Sequence, residues 1–344
     1  MSTSPYLEKK FTTDELMLAY QEWGSSDGDK ATIITLHGFG VSGHMYDEFS
    51  ARFKDIARII NLDQRGHGDS EISVDGNYQR TAFVDDLEHL RKYLGIEEFI
   101  LIGHSMGGLN AVEYAVRYPE HISVLIIVDA GPESAKDGVD NIVRFTRGPD
   151  ELEFDEFVQM ALNFNPRRSE KNIRDRMHHR LRQLDNGKWT WKFDKRFRDP
   201  EASLKVGSEI TKDQLWDQFR QVKAPTLLIR GSESDVLSGD IAKRTVQEME
   251  NAYLEVVKGA GHSVPGDSPD GFADTVRVFL EKFDAGEIQK KRMATNELNY
   301  SASSSKKKRK PSWVKILIFS LATLISAVIF FTVRRSNKNK NKNL

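Results

Sequence analysis

Ser105 is the residue on which the chemistry of this chain can be built. It lies within Gly103-His104-Ser105-Met106-Gly107, after an apolar run over 99–102 and before a helical pattern carried by Ala111, Val112, Ala115 and Val116. A strand that turns sharply into a helix through G-x-S-x-G lifts a serine hydroxyl above the edge of a sheet. Glycines flank the serine because side chains there would collide with the neighbouring strand and helix, and glycine adopts backbone angles that other residues resist. The helix starting at the serine aims free backbone N–H groups at the point where negative charge develops. Read blandly, the pentapeptide is a Gly/Ser turn. What separates the two readings is whether a base and its orienting acid follow, since a lone serine is a poor nucleophile.

Both follow. Lys258-Gly259-Ala260-Gly261-His262-Ser263 places a histidine in a Gly-rich loop past a strand, and His262 is the expected base. Leu227-Leu228-Ile229-Arg230-Gly231-Ser232-Glu233-Ser234-Asp235 places an acid just past the preceding strand, and Asp235 is the expected partner of the imidazole. Two other acids compete for that role: Glu233, two residues away, and Asp129, at the end of an earlier strand. The order Ser, Asp, His along the chain is the one such elbows keep. An oxyanion needs two backbone donors: the N–H of Met106, the residue after the nucleophile, and the N–H of Phe39 in His37-Gly38-Phe39-Gly40. His104 is expected to pack beside the serine, and His37 to bond the loop that shapes the oxyanion site. No G-x-G-x-x-G follows the strand before His37, which sets aside a dinucleotide loop there.

These residues need strand ends to hold them, and the chain supplies them. Residues 1–30 read as an opening β-hairpin. Strands are expected over 31–36, 57–62, 99–102, 123–128, 226–229 and 253–257, and helices over 45–54, 81–94 and 270–283. Short apolar strands alternating with helices imply a mostly parallel sheet covered on both faces. Ligands bind beyond the carboxyl ends of such strands, so all the candidate residues fall on one edge. Between Asp129 and Pro225 no convincing sheet strand is read. That stretch is rich in charge and in aromatics (among them Phe145, Phe157, Phe164, Trp191 and Trp216) and is expected to be a helical insertion over the site. Most of these aromatics are expected to form the insertion's own core.

The 344 residues contain no cysteine, which excludes disulfides, thiolate metal sites and cysteine catalysis. The near-neutral total hides an asymmetry. Residues 286–344 carry 14 Lys+Arg against 2 Asp+Glu, and the preceding 285 carry 36 against 49. So acidic a body is a poor partner for nucleic acid. No metal or cofactor is expected.

The combination resembles the α/β-hydrolase fold enzymes, in the branch of esterases, lactonases, non-haem peroxidases and C–C bond hydrolases, whose cap is inserted after the sixth strand. The resemblance covers roughly residues 10–283. It rests on His37-Gly38-Phe39-Gly40, Asp63-Gln64-Arg65-Gly66-His67-Gly68-Asp69-Ser70, Gly103-His104-Ser105-Met106-Gly107-Gly108, Asp235 and Gly261-His262. It implies a serine hydrolase acting on a carboxylic ester or lactone of a small to medium apolar acyl substrate. C–C bond hydrolysis or perhydrolysis on the same triad, or a ligand-sensing receptor of the same fold, are the alternatives. Related dehalogenases and epoxide hydrolases carry aspartate at the elbow, so Ser105 argues against both activities. The turn holding Asp63 and Arg65 is implied to be structural.

The domain organisation expected is a hydrolase core over 1–130 and 223–283, a helical cap over 131–222, a flexible basic linker over 284–312, a transmembrane anchor over 313–335 and a polar basic tail over 336–344. Residues 316–333 are eighteen in a row without charge, roughly 27 Å as a helix and about one hydrocarbon core. Trp313 and Lys315 on one side and Arg334 and Arg335 on the other suit interfacial anchors. Lys306-Lys307-Lys308-Arg309-Lys310 is read as a basic flank that attracts anionic headgroups. Residues 1–10 show no secretory signal, so a single-pass protein with its catalytic domain in the cytoplasm is expected.

Overall fold

The computed structural model describes residues 5–25, 30–199 and 210–288. Its strands are β1 (Tyr6–Thr12), β2 (Met17–Trp23), β3 (Ala31–Leu36), β4 (Ala57–Leu62), β5 (Phe99–His104), β6 (Ile122–Val128), β7 (Leu181–Gln183), β8 (Trp189–Trp191), β9 (Thr226–Gly231) and β10 (Ala252–Val257). Eight of them form one sheet in the order β1-β2-β4-β3-β5-β6-β9-β10. The opening hairpin is antiparallel, as is the β2–β4 pair, and every pair from β4 to β10 is parallel.

Side-chain alternation divides the strands between two cores. Ile34, Leu36, Ile60, Leu62, Leu101, Leu125 and Ile127 face one layer, where α2 (Arg80–Tyr93) and α3 (Met106–Arg117) lie. Ile33, Ile59, Ile100, Ile102, Val124 and Ile126 face the other, with α1 (Asp47–Phe53) and the final helix 269–284. All of β5 is buried, as a central strand covered on both faces must be. Each such aliphatic side chain contributes about 1.5–3 kcal/mol on burial, so the strand that carries Ser105 is among the most firmly held parts of the molecule.

Between β6 and β9 the chain forms α4 (Lys136–Thr146), α5 (Phe154–Phe164), α6 (Glu170–Arg180), the β7–β8 hairpin and α7 (Lys212–Gln221). The expectation of no strand here holds for the main sheet only. Phe157, Ile173, Met177, Trp191 and Phe197 pack into a third cluster, which Tyr78 and Phe83 of the body join. Trp216 stands apart from it: it donates from Nε1 to Glu133 at 2.9 Å and lies under the Arg244 guanidinium, 4.1 Å from its ring centre. Phe219 and Val222 pack into the body, so α7 belongs with the core although the sequence places it in the cap.

After the last helix, residues 285–287 are exposed and Ile288, the last described residue, is buried in the second core; the rest of the linker expected over 284–312 lies outside the described residues. The apolar run 316–333 and its basic flanks lie outside the described residues. Among the described residues no helix is long and apolar enough to cross a membrane.

Candidate active site

At the end of β5 the chain turns through Ser105 with φ 52° and ψ −118°, a left-handed conformation costly for any residue with a side chain. The surroundings hold it there. A Cβ on Gly103 would lie 2.3 Å from the Gly107 carbonyl oxygen, and one on Gly107 would lie 2.4 Å from that of Leu36. Both contacts are with backbone, so glycine is obligatory on each side of the serine. The Ser105 N–H donates to Val128 O at 2.9 Å, which ties the elbow to β6. α3 then starts at Met106, with its first N–H groups directed at the space above the serine.

Two hydrogen bonds connect three side chains. The Ser105 hydroxyl faces His262 Nε2 at 3.0 Å, and His262 Nδ1 faces Asp129 Oδ2 at 2.7 Å. The nitrogen against the carboxylate carries the proton, which leaves Nε2 as the acceptor for the serine hydroxyl. Asp129 is fully buried and takes the residue after β6 with φ 49°. Its carboxylate also accepts from the Gly231 N–H at 3.1 Å and the Ser234 hydroxyl at 2.5 Å.

Asp235, expected as the acid, is not in this relay. It is exposed at the cavity rim, and its hydrogen bond is a 3.5 Å contact from Asn141 Nδ2. The reason is local: the turn after β9 directs Ser234 inward to Asp129, and the next side chain points away. Glu233 is also exposed and pairs with Arg167 at 2.8 Å. The structure therefore brings together Ser105, His262 and Asp129, and leaves Asp235 and Glu233 outside.

Phe39 is held by a buried network. His37 Nδ1 donates to Gly38 O at 2.7 Å and its Nε2 accepts from the Gln64 N–H at 2.9 Å, while Gln64 Nε2 returns a bond to His37 O. Asn110 of α3 donates to Gln64 Oε1 at 2.7 Å, linking this loop to the elbow helix. Burial, reinforced by His67, pushes the His37 pKa well below its ordinary value and keeps the ring neutral. Behind it, Arg65 forms a buried two-point pair with Asp86 (2.7 and 2.8 Å), and Asp63 accepts from the N–H groups of Gly43 and Asp69. The turn 63–70 thus supports the loop and stays out of the relay. Neither the Met106 nor the Phe39 N–H has a hydrogen-bond partner among the described residues. His104 donates from Nε2 to the His262 carbonyl at 2.9 Å, and burial and the neighbouring His262 lower its pKa to about 3. It braces the histidine loop as a neutral group.

Ser105 and His262 open into a cavity of about 540 Å³, with apolar walls that include Phe39, Met45, Ile142, Phe145, Met160 and Phe164. Two of the inserted segment's aromatics, Phe145 and Phe164, thus face the cavity, stacked on each other at 4.3 Å. On one wall His44, Asp47 and His179 offer metal-type donor atoms within 4.8 Å of one another. Their present bonding is self-contained: His44 Nδ1 meets Asp47 at 2.9 Å and the two imidazoles stack at 3.8 Å.

Comparison with known proteins gives a consistent result. A family profile described as alpha/beta hydrolase fold matches residues 31–269. An esterase of Mycobacterium tuberculosis is 27% identical over 267 residues, 75% of this chain and 85% of that protein. An sn-1-specific diacylglycerol lipase of Mus musculus is 28% identical over 266 residues, 74% of this chain and 83% of the lipase. Among solved structures, E-2-(acetamidomethylene)succinate hydrolase superposes with a TM-score of 0.70 at 22% identity, covering 80% of this chain and 99% of that one.

Proposed function

The chain belongs to the alpha/beta hydrolase fold family, and on that premise we propose that it is a serine hydrolase that cleaves a carboxylic ester or lactone by acyl transfer. The observation that carries the reading is the unbroken relay from Ser105 through His262 to buried Asp129, at a cavity with both apolar walls and charged side chains. Ser105 Oγ attacks the carbonyl carbon while its proton passes to His262 Nε2, and Asp129 stabilises the imidazolium through Nδ1–H. The oxyanion that forms is met by the N–H groups of Met106 and Phe39, fixed in place before the reaction begins. Collapse expels the alkoxide, which takes the proton from His262. Water then attacks the acyl-enzyme, gives a proton to His262, and releases the acid as Ser105 is reprotonated. The relatives named esterase and lipase support acyl-ester chemistry.

Labelling with a fluorophosphonate tests the nucleophile. Wild-type protein is expected to label and Ser105→Ala to remain blank; equal labelling of the two refutes the assignment. Many turnovers on short acyl esters are expected, and a single turnover would point to a sensor. The same proposal includes the anchor: residues 316–333 hold the protein in a bilayer with the catalytic domain on the cytoplasmic side. The uncharged run and its aromatic and basic flanks support that reading.

A further inference from the structure

Several arginines line the cavity, and three of them are neutralised. Arg167 pairs with Glu233 at 2.8 Å, Arg168 with Asp267 at 2.7 Å and Arg176 with Glu48 at 2.8 Å. Arg180, the last residue of α6, is different. Among the described residues no carboxylate lies within ion-pair distance of it. Its Nε and Nη2 both donate to the Gly40 carbonyl, at 3.2 and 2.9 Å, and its Nη1 has no hydrogen-bond partner among the described residues. The guanidinium lies near the rings of Phe145 and Trp191, 5.5 and 5.3 Å from their centres, so its orientation is set by cation–π contact as well as by Gly40. Burial first, and then the charges of Arg168 and Arg176, lower its pKa to about 9, which leaves it cationic at neutral pH.

A half-buried cation without a counter-charge loses part of its hydration, and a ligand that supplies the charge offsets that loss. Holding the Gly40 loop does not account for it, since a neutral donor would bond a carbonyl oxygen without that cost. Its anchor is also informative, because Gly40 directly follows Phe39, the proposed oxyanion donor. The guanidinium therefore lines the same cavity as Ser105 and His262, beside the loop that carries the proposed oxyanion donor. A single open fork matches a carboxylate, which takes two parallel N–H bonds. Arg144, the remaining arginine of the lining, is exposed and donates to Asn141 at 3.3 Å, so Arg180 is the half-buried one left without a counter-charge.

We propose that the hydrolase substrate carries a carboxylate a few atoms from the scissile carbonyl, and that Arg180 receives it. This inference rests on the serine hydrolase reading and narrows its substrate to half-esters or lactones of acidic compounds.

Mono-(4-nitrophenyl) adipate and 4-nitrophenyl hexanoate have equal chain length and differ in the terminal carboxylate. Full-length wild-type protein is expected to favour the adipate by about 10- to 100-fold in kcat/KM, the range of a charge-assisted pair. Mono-glutarate and mono-succinate esters test the spacing. The ratio should collapse toward unity in Arg180→Gln and be partly kept in Arg180→Lys; because it is taken within one protein, it is independent of overall activity and yield. Equal or faster cleavage of the neutral ester across the series by wild type overturns the inference and leaves the hydrolase standing. If neither ester is cleaved, the hydrolase reading fails, and binding decides the inference by itself. Adipate dianion should then raise the Tm of the wild type by several degrees and leave that of Arg180→Gln or Arg180→Lys smaller in response; no shift in the wild type overturns it.

Discussion

Replacing Asp129 by asparagine should cripple the enzyme, and replacing Asp235 should scarcely affect it. The Asp129 carboxylate accepts from three donors: His262 Nδ1–H, the Gly231 N–H and the Ser234 hydroxyl. An asparagine side chain offers one oxygen to these three and turns a donor toward at least one of them. The cheapest response is for His262 to shift its proton to Nε2, where it faces the Ser105 hydroxyl and can no longer accept from it. That exchange of tautomer costs about four decades of kcat in the serine protease template, equivalent to ~5.4 kcal/mol at 1.36 kcal/mol per decade. A stability loss of about 1–3 kcal/mol from the buried unmatched donors should accompany it. Asp235 is exposed and holds a single 3.5 Å contact, so Asp235→Asn should stay within about 2-fold, the usual range of a surface change. The assay is kcat/KM on a short 4-nitrophenyl ester together with the rate of fluorophosphonate labelling, with near-ultraviolet circular dichroism to confirm that both variants fold. A folded Asp129→Asn with near-normal activity, or an Asp235→Asn reduced by 100-fold, would refute the assignment.

Ser234→Ala removes the 2.5 Å bond to Asp129 and the acceptor for the N–H groups of Val236 and Leu237; a loss of about 1–2 kcal/mol in urea melts and a roughly 10-fold fall in kcat are expected. His67 and His104, both buried, have pKa values lowered by burial to about 4 and about 3. The folded state therefore binds fewer protons than the unfolded chain below pH 6.5. Stability present above that pH should fall as pH drops toward 4, by up to about 1.4 kcal/mol per unit for each ring. Asp63 and Asp86, whose pKa values burial raises, oppose this in part. Urea titrations at pH 7, 6 and 5 should show the decline and His67→Phe should flatten it; an unchanged slope in that variant removes His67 from the account. Full-length protein should pellet with membranes and resist carbonate, whereas a chain ending at Ile288 should stay in the supernatant with its esterase activity; release of the full-length protein by salt alone would contradict the anchor.

The parts of this molecule legible from sequence are those where one local rule decides the outcome. Residues 99–102 are apolar throughout, and a short strand with no polar face can only be central. Gly103 and Gly107 mark a close backbone approach whose collision partners can be foreseen as strand and helix before they are named. The helix 239–248 is hard to read, because its apolar stripe is only Ile241, Ala242 and Val246 and just Ala242 and Thr245 of its ten residues are buried. So is the β7–β8 hairpin, whose three-residue strands are too short for a period to show.

The acid is the instructive case. Asp129, Glu233 and Asp235 all stand just past strand ends, and neighbouring strands in parallel register bring such residues to one level: Val128 pairs with Ile229, so Asp129 comes level with the last residues of β9. Both strands can therefore deliver a carboxylate to the same imidazole, and chain order does not choose between them. What chooses is a left-handed residue after β6, held by a 2.7 Å bond from its own N–H to Ile229 O, which turns the Asp129 carboxylate inward beneath His262. The loop after β9 then contributes Ser234 as a donor to that carboxylate and leaves Asp235 on the rim. The acid's place is set by which of two adjacent turns faces inward, a property of the pair of strands together and invisible in either one alone.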